Sequence, residues 1–168
     1  PKEDASFKID FSLIESTQNA SLNFALHYDR LYKSGILVNY SQKNFLLNND
    51  VFSLDLILGD NIRYKLNYFV DNGFYTSFGI RSSFTNFLSN TKNTIVSNTP
   101  SLNSINLKYN DFTNQFFLQT TFERRFALGI GLEHQYINVS SETFATNNRK
   151  TVFDDSNYLN FFTYLKYD

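Results

Sequence analysis

The chain has 168 residues, a formal net charge of −1 and no cysteine. That length allows one domain with a sizeable core. The near-neutral charge excludes the basic field of a nucleic-acid binder, and the missing cysteine excludes disulfides and thiolate chemistry without fixing a compartment. Aromatics reach 18%, with 19 Phe and 11 Tyr, yet mean hydropathy is only −0.34. A sheet with one wet face combines these properties, whether as a membrane barrel or as a soluble β-sandwich. No apolar run is long enough to cross a membrane as a helix.

The chain opens on Pro1-Lys2-Glu3-Asp4, without a secretory leader or initiator Met, and stops at a strand end, Tyr164-Leu165-Lys166-Tyr167-Asp168. A mature product or a piece of a longer protein is the expectation.

Period-2 alternation runs along almost the whole chain and predicts strands with opposed faces. Residues 5–15 set Phe7, Ile9, Phe11 and Leu13 against Lys8, Asp10 and Ser12, and 16–19 form a turn. Residues 20–28 set Leu22, Phe24, Leu26 and Tyr28 against Ser21, Asn23 and His27. A strand at 35–45 carries Ile36, Val38 and Tyr40, and Asn48-Asn49-Asp50 turns the chain. Residues 51–58 present Phe52, Leu54, Leu56 and Leu58, and Gly59-Asp60-Asn61 marks a tight hairpin. Residues 62–70 follow, then the turn Asp71-Asn72-Gly73, then a strand at 74–86 with Phe74, Phe78, Ile80 and Phe84 on one face. A polar loop is expected over 87–104, strand over 105–122, a turn at Glu123-Arg124-Arg125, strand over 126–140, a second polar loop over 141–157 and a last strand over 158–167.

Charge decides which face is wet. A charged residue facing lipid at the bilayer midplane costs about 2–4 kcal/mol. Arg63 and Lys65 therefore belong inside, and Tyr64, Leu66 and Tyr68 outside. The same parity makes Arg63, Lys65, Arg81, Glu133 and Lys166 lumen-lining candidates. It makes Phe52, Leu54, Leu56, Tyr64, Leu66, Tyr68, Phe78, Ile80, Leu128, Ile130 and Leu132 lipid-facing candidates. The inward charges could bias which solute passes; the simpler expectation is that they pair with one another. Connections starting at Asp29, Gly59, Phe87 and Ser141 share one rim and include both long loops. Short turns near Asn48, Asp71 and Glu123 share the other, as in outer-membrane barrels.

The stretch Leu26-His27-Tyr28-Asp29-Arg30-Leu31-Tyr32-Lys33-Ser34-Gly35-Ile36-Leu37-Val38-Asn39 resembles the first barrel hairpin of the outer-membrane patatin-like phospholipases of the Bacteroidota type. So does Leu56-Ile57-Leu58-Gly59-Asp60-Asn61-Ile62-Arg63-Tyr64, continuing to Asp71-Asn72-Gly73-Phe74. Those proteins join a patatin hydrolase, a polypeptide-transport-associated (POTRA) domain and a barrel of the bacterial surface antigen superfamily, which also holds outer-membrane assembly pores. The resemblance covers about 5–168. It implies that residues 1–18 end the POTRA-like domain, with 5–15 as its last strand, and that 19–168 supply the first eight strands of a sixteen-stranded barrel. The implied protein anchors, and could translocate or display, a lipid hydrolase encoded outside this chain.

Neither the G-x-S-x-G elbow nor the Asp-Gly pair of the patatin dyad occurs here, so this segment is expected not to be an enzyme. The family's lumen-loop arginine motif belongs to a later strand pair. A self-contained eight-stranded barrel, binding a small ligand or acting as an adhesin, is the alternative.

Other residues admit chemistry with less support. His27 and His134 lack ligand spacing, and Glu142, Asp154 and Asp155 lack a calcium-loop pattern. Glu123-Arg124-Arg125 reads as a charged turn, and Asn138-Val139-Ser140 as a chance glycosylation match. Tyr28, Tyr32, Tyr40, Tyr64, Tyr136, Tyr158 and Tyr167 could form interfacial girdles. No cofactor, no metal and no nucleic acid are expected. Expected partners are the outer-membrane bilayer, the rest of the barrel and the hydrolase domain, with a homodimer left open.

Overall fold

A computed structural model describes residues 19–92, 104–123, 125–141 and 154–167. The expected POTRA strand at 5–15, most of the two long loops, Arg124 and Glu142 lie outside them. The described residues form eight strands: β1 (Ala20–Asp29), β2 (Lys33–Lys43), β3 (Asp50–Gly59), β4 (Arg63–Val70), β5 (Ser77–Lys92), β6 (Ser104–Phe122), β7 (Phe126–Ser141) and β8 (Ser156–Tyr167). They make one antiparallel meander in chain order, β1 to β8.

Alternation becomes two faces through the register. One pairing row crosses seven strands as Phe24, Val38, Leu56, Tyr64, Phe84, Phe112 and Tyr136. A slip of one residue would turn every one of these side chains to the other face. From this row the pairing runs on to Lys43 in β2, to Val70 in β4 and to Phe122 in β6. That progressive stagger is the shear of strands tilted around a barrel.

The sheet has no second layer. Among the described residues only Val70, Ile105 and Phe117 are buried hydrophobics. Phe24, Leu26, Leu159 and Phe161 are each more than 60% exposed. A soluble sandwich would bury these against a second sheet, so that expectation is set aside. β1 and β8 pair with each other nowhere among the described residues and stand as the two edges. The sheet is open, unlike the closed eight-stranded alternative.

The polar face curves inward. Its ring contacts join strands that are not neighbours: Phe69 of β4 stacks on Phe117 of β6 at 6.1 Å, and Phe117 meets Tyr164 of β8 edge-on at 6.1 Å. Tyr32, in the β1–β2 turn, reaches Phe87 of β5 at 5.8 Å. On the apolar face, among the described residues, ring contacts between strands join neighbours, as Tyr64 meets Phe84 and Tyr68 meets Phe78.

The structure corrects three boundaries. β5 runs to Lys92 and β6 starts at Ser104, so residues 87–92, expected in a loop, are strand. Amide side chains hold the extension: Asn86 Nδ2 donates to Asn110 Oδ1 at 2.6 Å and Asn90 Nδ2 to Asn106 Oδ1 at 2.7 Å. β5 starts at Ser77 rather than 74, because Gly73 takes a positive φ of 64° and Tyr75 N–H closes a turn onto Asn72. Phe74 is thus an exposed turn residue. Asp50 belongs to β3, where it organises the preceding turn. Its buried carboxylate accepts the backbone N–H groups of Phe45, Leu46 and Leu47 and the Tyr68 hydroxyl.

Candidate functional site: the polar concave face

The five lumen-lining candidates share the concave face. Asn67, Arg81, Gln115, Glu133 and Asn160 form one pairing row across β4 to β8. Side chains continue that row. Arg81 Nη1 donates to Gln115 Oε1 at 3.5 Å, Gln115 Nε2 to Glu133 Oε2 at 2.5 Å, and Asn160 Nδ2 to Glu133 Oε1 at 3.1 Å. Lys65 sits in the next row, between Asp55 and Ser83, and Arg63 in the row beyond. Lys166 has Ala127 opposite it on β7.

The expected ion pairs among them do not form. Among the described residues no carboxylate lies within 4 Å of Arg63, Lys65, Arg81 or Lys166. Three of these cations lie over aromatic rings instead: Arg63 over Tyr32 at 3.8 Å, Arg81 over Phe117 at 4.5 Å, and Lys166 over Tyr164 at 4.9 Å. The ring quadrupole attracts a cation without neutralising it. The carboxylates bond to neutral donors. Asp55 accepts from Asn39, and Asp111 accepts from Thr113, Gln135 and Tyr109. The register sets Gln115 rather than an acid directly opposite Arg81, whereas Asp55, directly opposite Lys65, is engaged by Asn39 instead.

Glycines make room for these rings. A Cβ on Gly79 would meet Phe117 Cζ at 2.2 Å, and one on Gly131 would meet Phe162 Cζ at 2.6 Å. At the hairpin rim Tyr32 folds inward over Arg63, and Asn61 Nδ2 holds its carbonyl at 3.0 Å. Arg63 Nε and Nη2 are buried there without a partner among the described residues. Tyr32 therefore leaves the expected girdle. Tyr158 leaves it too: it stands opposite Gln135, because inward residues of β8 carry even numbers.

All eleven lipid-facing candidates share the opposite face. Phe52, Tyr68 and Ile80 share a row that continues to Leu132; Leu54 faces Leu66, Leu56 faces Tyr64, and Phe78 shares a row with Ile130. Leu128 lies beside Ile130 along β7 with the same parity. One polar stripe, missed in the sequence, crosses this face. Tyr64 Oη lies 3.0 Å from Ser82 Oγ, Ser82 Oγ donates to Asn114 Oδ1 at 2.8 Å, and His134 Nε2 lies 2.9 Å from Asn157 Oδ1.

The remaining candidates have local partners. His27 Nε2 lies 2.7 Å from Asp29 Oδ2. Asp29 also accepts the backbone N–H groups of Tyr32 and Leu31. The Tyr32 N–H, with help from His27 and Leu31, holds its carboxyl below the usual carboxylate range despite opposing desolvation. Asp155 ends an amide ladder, Asn86 to Asn110 to Asn138, by accepting from Asn138 and Tyr136. Those two bonds lower its pKa. No group of three or more His, Asp or Glu among the described residues could hold a metal ion.

A single-layer meander, apolar on one face and polar with unpaired cations on a concave face, is a segment of an outer-membrane β-barrel. No curated protein and no solved structure matches the chain. A model of the OMP85 superfamily matches residues 7–168, and the chain belongs to that superfamily, whose members are outer-membrane proteins.

Proposed function

We propose that this chain is the first half of a sixteen-stranded barrel that anchors, and translocates or displays, a patatin-like lipid hydrolase encoded outside it. The chain itself performs no hydrolysis. Its partners are the outer-membrane bilayer, the other barrel strands and the hydrolase. The observation that carries this reading is the open sheet, whose two edges require further strands in a membrane. OMP85 membership and the two resembling stretches, Leu26 to Asn39 and Leu56 to Phe74, agree with it. The full-length protein should fractionate with the outer membrane, migrate differently in gels before and after boiling, and carry a serine hydrolase activity. Solubility without detergent would defeat the barrel reading. Heat-modifiable mobility without a linked patatin domain would defeat the hydrolase reading alone.

A further inference from the structure

We propose that Lys65 and Arg81 form a binding site for a phosphate-type oxyanion on the concave face. The inference rests on that face lining an aqueous lumen and is independent of the hydrolase. Lys65 lies opposite Ser83 and Arg81 opposite Asn67, which makes the two cations diagonal neighbours on adjacent strands. Like charges so placed repel one another unless an anion lies between them. They line a recess of about 400 Å³ together with Asn67, Ser83, Thr113, Gln115 and Ser82, whose hydroxyl is bonded to Asn114 on the other face, and no carboxylate is part of that lining.

The donors are free and partly positioned. Lys65, Asn67 and Ser83 make no side-chain hydrogen bond with a described residue. Arg81 spends one N–H on Gln115, and Gln115 is itself held by Glu133. Phe117 supports the guanidinium from below. The Thr113 hydroxyl is turned away to Asp111, so it offers lone pairs rather than a proton. Asp55, directly opposite Lys65 on β3, accepts from Asn39 and makes no ion pair with it. Two cations with amide and hydroxyl donors suit the several acceptor oxygens of a phosphate group.

The test uses full-length protein folded in detergent, with folding verified by heat-modifiable mobility, and calorimetric titration with inorganic phosphate. The expected result is one saturable site per chain that weakens as sodium chloride is raised. Lys65→Gln and Arg81→Gln should each weaken binding by about tenfold or more, while Arg30→Gln, at an exposed hairpin tip, leaves it unchanged. Ser83→Asp adds a carboxylate to the lining of the recess itself, which Asp55 is not part of, and should abolish binding while mobility stays normal. Folded protein that binds no phosphate, binds chloride equally well, or is unaffected by Lys65→Gln and Arg81→Gln overturns the proposal. An acidic segment of the protein already filling the recess would appear as absent binding and would overturn it too. Loss of heat-modifiable mobility in the unaltered protein would instead count against the barrel reading.

Discussion

Tyr164 covers Gly129 so closely that a Cβ on the glycine would lie 2.2 Å from the ring Cζ. The ring then crosses β7, and its hydroxyl donates to Gln119 of β6 at 2.8 Å. Three strands are tied together through the absence of one side chain. Gly129→Ala should destabilise the folded protein by about 1–3 kcal/mol through overpacking. Tyr164→Ala removes the obstacle, so the alanine should cost less in that background. Urea midpoints of the four proteins in detergent measure the coupling, and additive effects would show that the ring does not depend on the glycine.

The apolar face is proposed to meet lipid, which makes its tolerance of charge asymmetric. Ile130→Lys should cost up to about 2–4 kcal/mol in reversible folding into phospholipid vesicles. Glu133→Gln, three residues along on the other face, should cost far less, because only one of the two acceptor oxygens that serve Gln115 and Asn160 is lost, and water can take its place on a polar face. Equal costs would mean that both faces meet the same medium.

Asp50 gathers three turn N–H groups and the Tyr68 hydroxyl onto one carboxylate. Asp50→Ala should open the β2–β3 turn and leave the strands paired. Limited proteolysis should then cut between 44 and 49 faster than in the unaltered protein, with little change at other sites. Unchanged cleavage would show that the turn holds itself.

Asp29 gives a signed pH response. Its folded pKa is lowered, first by the Tyr32 N–H. Its contribution is therefore fully present above the ordinary carboxylate value and is lost as pH falls through the lowered one. Acid should loosen the β1–β2 turn, and Asp29→Asn should remove that step from a titration followed by amide chemical shifts at Leu31 and Tyr32. A step that persists in the variant would assign it elsewhere.

The 168-residue chain alone should fail to give a monodisperse, cooperatively unfolding monomer in detergent, because among the described residues β1 and β8 each leave a row of backbone groups without a strand partner. A sharp monomeric transition would refute this.

Strand identity and face were legible because a single parity satisfies each strand. Arg63 and Lys65 could not both have faced outward without penalty. The ends of β5 were not legible, whereas β6 falls within one residue of its expected bounds. Asn90, within the expected loop 87–104, reads as a loop residue until it finds the Asn106 amide opposite, which is a property of register rather than of composition. The concave chemistry was hidden for the same reason. Nothing along the chain indicates that Phe117 lies on Gly79, or that Arg81 faces Gln115 while Glu133 stands one strand further on.

The amide ladder from Asn86 through Asn110 to Asn138 carries no charge along its rungs. Ionic strength has nothing there to screen, and protons have nothing to titrate until the ladder reaches Asp155. The pairing of β5, β6 and β7 along this ladder should therefore hold alike in dilute water and in brine, a constancy that strands joined by ion pairs would lack.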